Sequence, residues 1–248
     1  MDYGVYLSAG AAWQTMLAQQ THASNLANAE TTGFRSDFNW TGERAFNLAG
    51  VEGRIPGTRT GAEMQLKGSR LVPGDNQWSG RELDAAIVGE GWFVVQSPTG
   101  DEAFTRGGNF VVNGFGELVT TAGLPVLGED GVMVLPVFSG LQIASDGMIT
   151  VVVEGGDLVE VGRLRRVNPP QGTLQKGTDG LFRYTGPGAV PDDPDVAVLG
   201  GALEQSNVNA IEEISDYLQL SREFELQIKA IRTFDQMAAR GNELLRSS

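Results

Sequence analysis

The carboxyl-terminal region carries a long apolar stripe with helical spacing. Its members recur every three or four positions: Tyr217, Leu220, Phe224, Gln227, Ile231, Phe234, Ala238, Gly241 and Leu245. Such spacing is the heptad seam of a helix that packs against another helix. A second stripe widens the apolar face near the start of the same segment: Ile211, Ile214, Leu218 and Ser221. The region therefore predicts one long helix that needs a partner along a broad face.

The start of this helix is marked by its own residues. Asn209 is a good N-cap, and Glu212 follows three residues later, as in a variant of the capping box. Glu212 and Glu213 lie in the first turn, where the helix dipole favours negative charge. We therefore expect the helix to begin at about Asn209.

The amino-terminal region carries a matching but weaker seam. Its members are Val5, Ala9, Ala12, Met16, Gln19, Ala23 and Leu26. This spacing predicts a helix over Asp2 to Asn28, whose small side chains allow close approach but bury little surface each. We expect the two terminal helices to lie alongside each other. Two helices cannot cover the stripe from Ile211 to Phe234, so the sequence predicts helix packing between subunits.

The middle of the chain has a different texture. Residues 35–80 show no clear period and are predicted to be an irregular linker. From Leu83 to about Leu199, short runs alternate with a period of two, and turn dipeptides such as Asn113-Gly114 and Asp146-Gly147 separate them. The 34 glycines fit many short strands joined by tight turns. This texture predicts an antiparallel, hairpin-rich β domain.

The predicted fold class is therefore α+β, with N- and C-terminal heptad helices that form a coiled-coil layer and with a central all-β domain. We divide the chain into an N-terminal assembly helix and turn (1–34), a linker (35–80), a central β domain (81–200) and a C-terminal assembly helix (201–248). The aromatic residues of the strands are assigned to the core: Trp92, Phe93, Phe104 and Phe110.

Charge and cysteine usage exclude several functions. The formal net charge is -13, which leaves little surplus Lys and Arg for nucleic acid or for an anionic membrane surface. The chain has no cysteine, which removes disulfides, thiolate nucleophiles and cysteine-ligated metals. Asp2 and the polar residues after it do not form a cleavable secretory signal, so export is expected to proceed without one.

The residues give little support to catalysis. His22 is the one histidine, and without converging partners it is interpreted as a helix-surface or interface residue. Glu82 and Asp84 form an acidic pair that could serve a carboxylate-pair hydrolase. Arg163 and Arg165 are interpreted as a charged strand face that pairs with acidic neighbours. We expect no catalytic residue, metal, cofactor or small-molecule substrate; a hydrolase and a secreted β-rich binding module remain as alternatives.

Three separated segments resemble the flagellar rod and hook proteins. The first is "ANAETTGF", which carries Ala27, Asn28, Thr31, Gly33 and Phe34 of the family pattern A-N-x-x-T-x-G-F. The second lies within Gly89–Gly131 and contains the T-R-x-G-x-F core at Thr105, Arg106, Gly108 and Phe110. The third spans Gly201–Ile231, with S-N-V followed by a helix that carries Arg222, Phe224 and Glu225. Together they extend over nearly the whole chain.

This resemblance implies a structural subunit of the bacterial flagellar basal body. Within the family, the chain's start, length and first motif look most like a proximal rod protein, with a distal rod protein as the alternative. The resemblance implies export through the flagellar type III apparatus and polymerisation into a tubular drive shaft across the periplasm. Copies of the same chain and other rod proteins are the implied partners, and the terminal helices would line the channel.

The first motif is interpreted as the turn that follows the N-terminal helix. Asn28 and Thr31 can bond backbone groups freed at the helix end, and Gly33 can adopt the positive φ that reverses the chain. Phe34 is expected to anchor the departing segment against a neighbour. The full predicted assembly interface is Val5, Ala9, Ala12, Met16, Ala23, Leu26, Asn28, Thr31, Gly33, Phe34, Ile211, Ile214, Leu218, Leu220, Phe224, Ile231, Phe234 and Leu245.

Overall fold

The computed structural model describes residues 2–46, 59–170 and 172–246, which form two compact units. The first unit, the helical unit, combines the two chain ends with residues 37–70. The second, the β unit, combines residues 28–36 with residues 71–208. The segment that carries the first motif therefore belongs with the β domain and not with the helix that precedes it.

The helical unit contains helix α1 (Asp2–Ala27), strands β1 (Asp37–Phe46) and β2 (Arg59–Ser69), and helix α2 (Ala210–Arg246). Both helices are confirmed close to their expected bounds. The Asn209 side chain accepts hydrogen bonds from the backbone N–H groups of Ile211 (3.2 Å) and Glu212 (3.4 Å), so it caps α2 as predicted. In the described part of the chain, neither helix is long and apolar enough to cross a membrane.

The prediction of an irregular segment over residues 35–80 is wrong for residues 37–46 and 59–69, and residues 47–58 lie outside the part of the chain that the structure describes. Strands β1 and β2 pair as an antiparallel hairpin, and the short strand β3 follows at Asn76–Trp78. The β1–β2 register shifts between Asn39 and Thr41, as at a β-bulge. A bulge interrupts the two-residue alternation on which strand recognition depends, and backbone pairing does not require apolar side chains.

The β unit is built from short antiparallel strands. They are β3 (Asn76–Trp78), β4 (Ala85–Val88), β5 (Trp92–Gln96), β6 (Glu102–Thr105), β7 (Phe110–Val112), β8 (Leu118–Thr120), β9 (Leu127–Gly128), β10 (Gly131–Val132), β11 (Phe138–Ile143), β12 (Met148–Val153), β13 (Leu158–Arg163), β14 (Arg166–Val167), β15 (Leu174–Lys176), β16 (Phe182–Tyr184), β17 (Ala197–Gly200) and β18 (Ala202–Glu204). The two larger sheets have the orders β14-β5-β6-β16-β15 and β11-β12-β13. Strand β18 pairs with β3, and β17 with β4. The antiparallel prediction is confirmed.

Strand β5 is buried on both faces. Phe93 and Val95 point into the main core, and Trp92 and Val94 point into a second apolar cluster. The four aromatic residues assigned to the core from the sequence are all buried there. The alternating pattern of β5 thus joins two packed layers, and Trp92 lies in the second of them.

Candidate functional site: the terminal helices and the stem junction

Helices α1 and α2 pack against each other in the helical unit. Gln227 of α2 donates to the Thr15 hydroxyl of α1 at 3.0 Å, and Glu213 near the start of α2 contacts His22 near the end of α1. Because later residues of α1 meet earlier residues of α2, the helices run antiparallel. Polar pairs at both levels give this packing a defined register.

Asn25 is the most connected of the buried polar residues of α1. It is 1% exposed, and its amide nitrogen donates to the Asp37 carbonyl (2.9 Å) and to the Glu213 carboxylate (3.0 Å). Its amide oxygen accepts the Asp37 backbone N–H at 2.8 Å. One side chain therefore joins α1, β1 and α2, and none of these bonds is exchanged easily for water at a buried position.

Two further contacts extend this polar seam. His22 Nδ1 lies 2.5 Å from the Glu213 carboxylate, so the single histidine joins the two helices, as the interface interpretation expected. Asn39 of β1 donates to the Thr21 hydroxyl of α1 at 2.7 Å. The hairpin therefore takes up part of the α1 surface, and this shifts the buried face of α1 toward Thr21 and Asn25.

Over residues 211–218, the outer face of α2 is apolar and uncovered. Ile211 is 82% exposed, Leu218 is 52% exposed and Ile214 is 44% exposed. The three side chains follow the spacing i, i+3, i+7 and so form one continuous strip, which we call the α2 strip. Further large apolar side chains exposed on α2 are Tyr217, Leu226, Phe234 and Met237. An apolar strip of this length marks an interaction surface.

The predicted interface residues fall into three groups. Ala12 and Gly33 are buried, and the half-buried ones are Met16, Leu26, Asn28, Phe34, Leu220, Phe224 and Ile231. The exposed ones are Ala9, Ala23, Thr31, Ile211, Ile214, Leu218 and Phe234. The side chains of Val5 and Leu245 lie outside the described residues. Leu220, Phe224 and Ile231 of the first α2 stripe are thus half-buried, while Ile211, Ile214 and Leu218 of the second stripe stay exposed.

Two peptide segments run side by side within the β unit, and each leads into a terminal helix. The first stem is residues 28–36, which follow α1, and the second stem is residues 201–208, which precede α2. The Gly33 N–H donates to the Glu204 carbonyl (2.8 Å), and the Asn207 N–H donates to the Phe34 carbonyl (3.3 Å). The Asn207 side chain also accepts the Ser36 N–H at 2.7 Å. The S-N-V motif therefore contacts the T-x-G-F segment directly.

Gly33 is held where no side chain fits. Its φ is +68°, which confirms the predicted positive value. A Cβ at this position would lie 2.3 Å from the Arg106 carbonyl carbon and 2.5 Å from the Gly107 nitrogen. The glycine is thus required both by its backbone conformation and by close packing on the T-R-x-G motif.

A buried cluster of three charged residues lies at this junction, and we call it the Arg–Glu–Arg triad. Glu204 of the second stem lies 2.5 Å from Arg35 of the first stem and 2.8 Å from Arg106 of the second motif. The Arg35 and Glu204 side chains are fully buried, and that of Arg106 is 2% exposed. The triad therefore brings together Arg106 and Glu204 from the second and third segments and Arg35, which directly follows the first motif.

Two effects of the surroundings act on the arginine charges of the triad in opposite directions: the Trp92 ring and Glu204 stabilise the charges, and burial disfavours them. The two guanidinium groups lie 5.9 Å (Arg35) and 5.4 Å (Arg106) from the centre of the Trp92 ring, within range of a cation–π interaction. Burial lowers the pKa of Arg106 to about 10, although Glu204 acts in the opposite direction. Burial also lowers the pKa of Arg35, again against the attraction of Glu204. With Arg106 near 10, its guanidinium stays charged at neutral pH.

Phe34 makes its contacts within the β unit. Lys176 Nζ lies 3.8 Å from the centre of the Phe34 ring, and the same ammonium donates to the Arg35 carbonyl at 2.8 Å. The ring is half-buried under this cation. Phe34 therefore helps to fix the first stem on the β unit, and its predicted contact with a neighbouring subunit stays a prediction.

The carboxylates considered for hydrolysis have structural contacts. Glu82 accepts the backbone N–H of Leu141 at 2.9 Å, and Asp84 is fully buried 3.4 Å from Arg81 Nη1. Arg163 and Arg165 pair with acidic neighbours as predicted, but Arg165 lies between β13 and β14 and not in a strand. Arg163 pairs with Glu129 and Asp146, and Arg165 pairs with acidic residues of β6 and of the loop before β17.

Sequence reasoning missed the residues that hold these sites together. Arg35 directly follows the first motif, and Glu204 lies within the third segment. No local sequence pattern indicates that two residues so distant in sequence form a pair. Asn25 lies next to the seam residue Leu26 but is not a member of the predicted seam, so the heptad pattern did not mark it. Glu213 was assigned to the helix dipole alone, whereas it also binds α1.

Comparisons with known proteins agree with this architecture. The family model described as the flagellar hook protein FlgE/F/G D1 domain matches residues 86–151, and the one described as the flagellar basal body rod FlgEFG protein C-terminal matches residues 199–244. The chain is 39% identical to the flagellar basal-body rod protein FlgF of Escherichia coli (strain K12) and 39% identical to that of Salmonella typhimurium, with 100% of each chain covered. It is 32% identical to the FlgG rod protein of Agrobacterium fabrum, over 90% of this chain and 94% of the relative.

The chain thus has two terminal helices that pack against each other, an exposed apolar strip on α2 and a central β unit. The chain belongs to the FlgE/F/G family of flagellar rod and hook proteins, and relatives that match it over its full length are FlgF proteins.

Proposed function

We propose that this protein is a structural subunit of the bacterial flagellar basal-body rod. The full-length relatives are named as basal-body rod proteins, and the open α2 strip is the observation that carries the proposal. In this role the chain polymerises through α1 and α2 into the tubular shaft that transmits torque and surrounds the export channel. A position in the proximal rod is proposed, and a distal position of the FlgG type is the alternative within the family.

The energetics of the α2 strip favour assembly with several neighbours at once. A fully buried Ile or Leu side chain gains roughly 1.5–3 kcal/mol, so the exposed parts of Ile211, Ile214 and Leu218 are worth roughly 3–5 kcal/mol together. Association of two proteins costs an estimated 4–15 kcal/mol or more. A single contact through the α2 strip is therefore too weak to hold a dimer together in dilute solution. An assembly in which each subunit makes several such contacts is stable.

We propose a separate role for each part of the chain. The terminal helices, within residues 1–34 and 201–248, carry assembly through the interface set predicted from the sequence and pack as coiled coils with their neighbours. The β domain forms the outer part of the subunit. The hairpin of residues 37–70 is added to the helical part, since it contacts α1.

The proposed partners are copies of this chain, other rod proteins and, in transit, the flagellar type III export apparatus. The proposed location is the part of the rod that crosses the periplasm, reached without a cleaved signal peptide. The role needs no catalytic residue, cofactor, nucleic acid or small-molecule substrate. The contacts of Glu82 and Asp84 give a hydrolase no support, because both carboxylates are engaged with the protein itself.

The test is a charge placed in the α2 strip. Leu218→Glu is expected to leave the isolated protein folded, because the side chain is about half exposed, and to abolish rod assembly by placing a charge in the interface. Gln219→Glu is the matched control and should permit assembly, because it adds the same charge at an exposed position about 100° around the helix from Leu218. Each variant is expressed in a strain that lacks the native protein, and motility and the protein content of purified basal bodies are measured. Motile cells with Leu218→Glu in their basal bodies would refute the proposal.

A further inference from the structure

We infer that the Arg–Glu–Arg triad positions the two stems relative to each other, with Glu204 as the central positioning residue. The triad draws one residue from the first stem (Arg35), one from the second stem (Glu204) and one from the loop after β6 (Arg106). The triad lies where the stem that follows α1 and the stem that precedes α2 run side by side. The triad therefore sets the separation and register of the points at which the chain leaves the β unit.

The backbone contacts between the stems are few. The Gly33 N–H to Glu204 bond and the Asn207 N–H to Phe34 bond are two such contacts, and the second is long at 3.3 Å. A typical hydrogen bond contributes a net of about 0.5–1.5 kcal/mol, so these two backbone bonds alone hold the stems to each other weakly. Side-chain contacts strengthen the attachment and make it selective for one arrangement.

Glu204 supplies those contacts in three directions. Its Oε1 atom meets Arg35 and accepts the Gly74 N–H at 3.0 Å, and its Oε2 atom accepts a hydrogen bond from Arg106 at 2.8 Å. Arg106 in turn donates to the Gly89 carbonyl at 2.6 Å. A shift of either stem by one residue would break several charge-assisted bonds together, which makes the arrangement selective.

Stability alone does not account for this cluster. Removing three charges from water is costly, and well-packed apolar residues often replace a buried ion cluster with no loss of stability. Apolar side chains have no preferred direction, however, and would tolerate several stem registers. A buried ionic cluster is less stabilising than an apolar one, but it allows only one geometry. The two stems, each of which connects to a terminal helix, require such a single geometry.

Its use in assembly rests on the proposed rod function. Subunits that pack through both α1 and α2 must present the two helices with the same geometry in every copy. A subunit whose stems vary in separation would meet this condition only in a fraction of molecules, and its apparent affinity would fall by that fraction.

The test measures the stems in the isolated protein. The chain has no cysteine, so Glu30→Cys and Ser206→Cys place one spin label on each stem without further changes. The distribution of label-to-label distances is measured by pulsed electron paramagnetic resonance. Glu204→Gln keeps the side-chain shape but removes the central charge, and Arg35→Met leaves the Arg106–Glu204 pair neutral. Asp179→Asn breaks an ion pair between exposed residues elsewhere on the β unit and is the control.

We expect a narrow distribution for the parent and for Asp179→Asn, and roughly a twofold or greater broadening for Arg35→Met and Glu204→Gln. The near-ultraviolet circular dichroism of the β unit should be retained in Arg35→Met. An unchanged narrow distribution in Arg35→Met would overturn the proposal. Loss of the folded spectrum in Arg35→Met would also overturn it, since the triad would then serve folding and not placement.

A motility assay separates this inference from the rod function. Broadened stems with impaired motility in Arg35→Met support the full inference. Broadened stems with normal motility would overturn the use of the triad in assembly, while the rod function would still stand or fall by the Leu218→Glu result.

Discussion

Replacing Gly33 with alanine tests how closely the first stem packs on the β unit. Gly33 has a φ of +68°, and a Cβ there would lie 2.3 Å from the Arg106 carbonyl carbon. Gly188 has a similar φ of +79°, but a Cβ there would meet no atom within 4 Å. The two replacements therefore share the cost of backbone conformation and differ in packing.

The magnitudes follow from this comparison. An L-residue in the left-handed region costs about 1–2 kcal/mol, and both variants carry that cost. Gly33→Ala adds an overlap with main-chain atoms, which cannot swing aside, and such overpacking costs about 1–3 kcal/mol more. For a unit of this size, 1 kcal/mol lowers Tm by about 2–4 °C, so Gly33→Ala should melt about 2–12 °C below Gly188→Ala.

Differential scanning calorimetry of the isolated protein measures the β-unit transition directly. Near-ultraviolet circular dichroism, which reports on the buried Trp92, assigns the transition to that unit. Equal Tm values for the two variants would refute the packing argument. A Tm of Gly33→Ala equal to that of the parent would also refute the assigned backbone conformation.

Two further predictions concern polar contacts. Asn25→Ala should destabilise the helical unit by about 1–3 kcal/mol, because it leaves buried partners on α2 and β1 without their bonds. The far-ultraviolet helix signal during urea unfolding measures this loss. An unchanged midpoint urea concentration would contradict the prediction. The hydrogen bond from Arg183 lowers the pKa of Asp179 from its ordinary value of 3.8, so the pair contributes stability at neutral pH that is lost as pH falls below that value. Because both side chains are 36% exposed, the loss is at most about 1 kcal/mol. Asp179→Asn should remove this part of the acid dependence of Tm, and identical acid profiles for parent and variant would disprove the assignment.

The elements governed by local periodicity could be predicted from the sequence. The α2 helix and its Asn209 cap follow from spacing and from one capping residue, and the strands of the β unit follow from alternation and turn dipeptides. Strands β1 and β2 could not be found in this way, because the bulge after Asn39 breaks the period and the strands carry many polar residues.

The candidate sites were predictable only in part. The open face at Ile211 and Leu218 follows from a stripe too wide for one partner helix. The triad does not, because Arg35 and Glu204 are far apart in sequence and charged residues are ordinarily assigned to the surface. Their positions beside recognised motifs mark the neighbourhood, but a buried ion pair depends on the tertiary fold.

The central claim is that the α2 strip is open in the isolated chain and covered by neighbours in the rod. The direct measurement is the rate at which Leu218→Cys reacts with a maleimide reagent, which is informative because the parent chain has no cysteine. We predict fast reaction in the purified protein and strong protection in isolated basal bodies, with Gln219→Cys, an exposed position off the strip, less protected than Leu218→Cys. Equal reactivity of Leu218→Cys in both states would contradict the account.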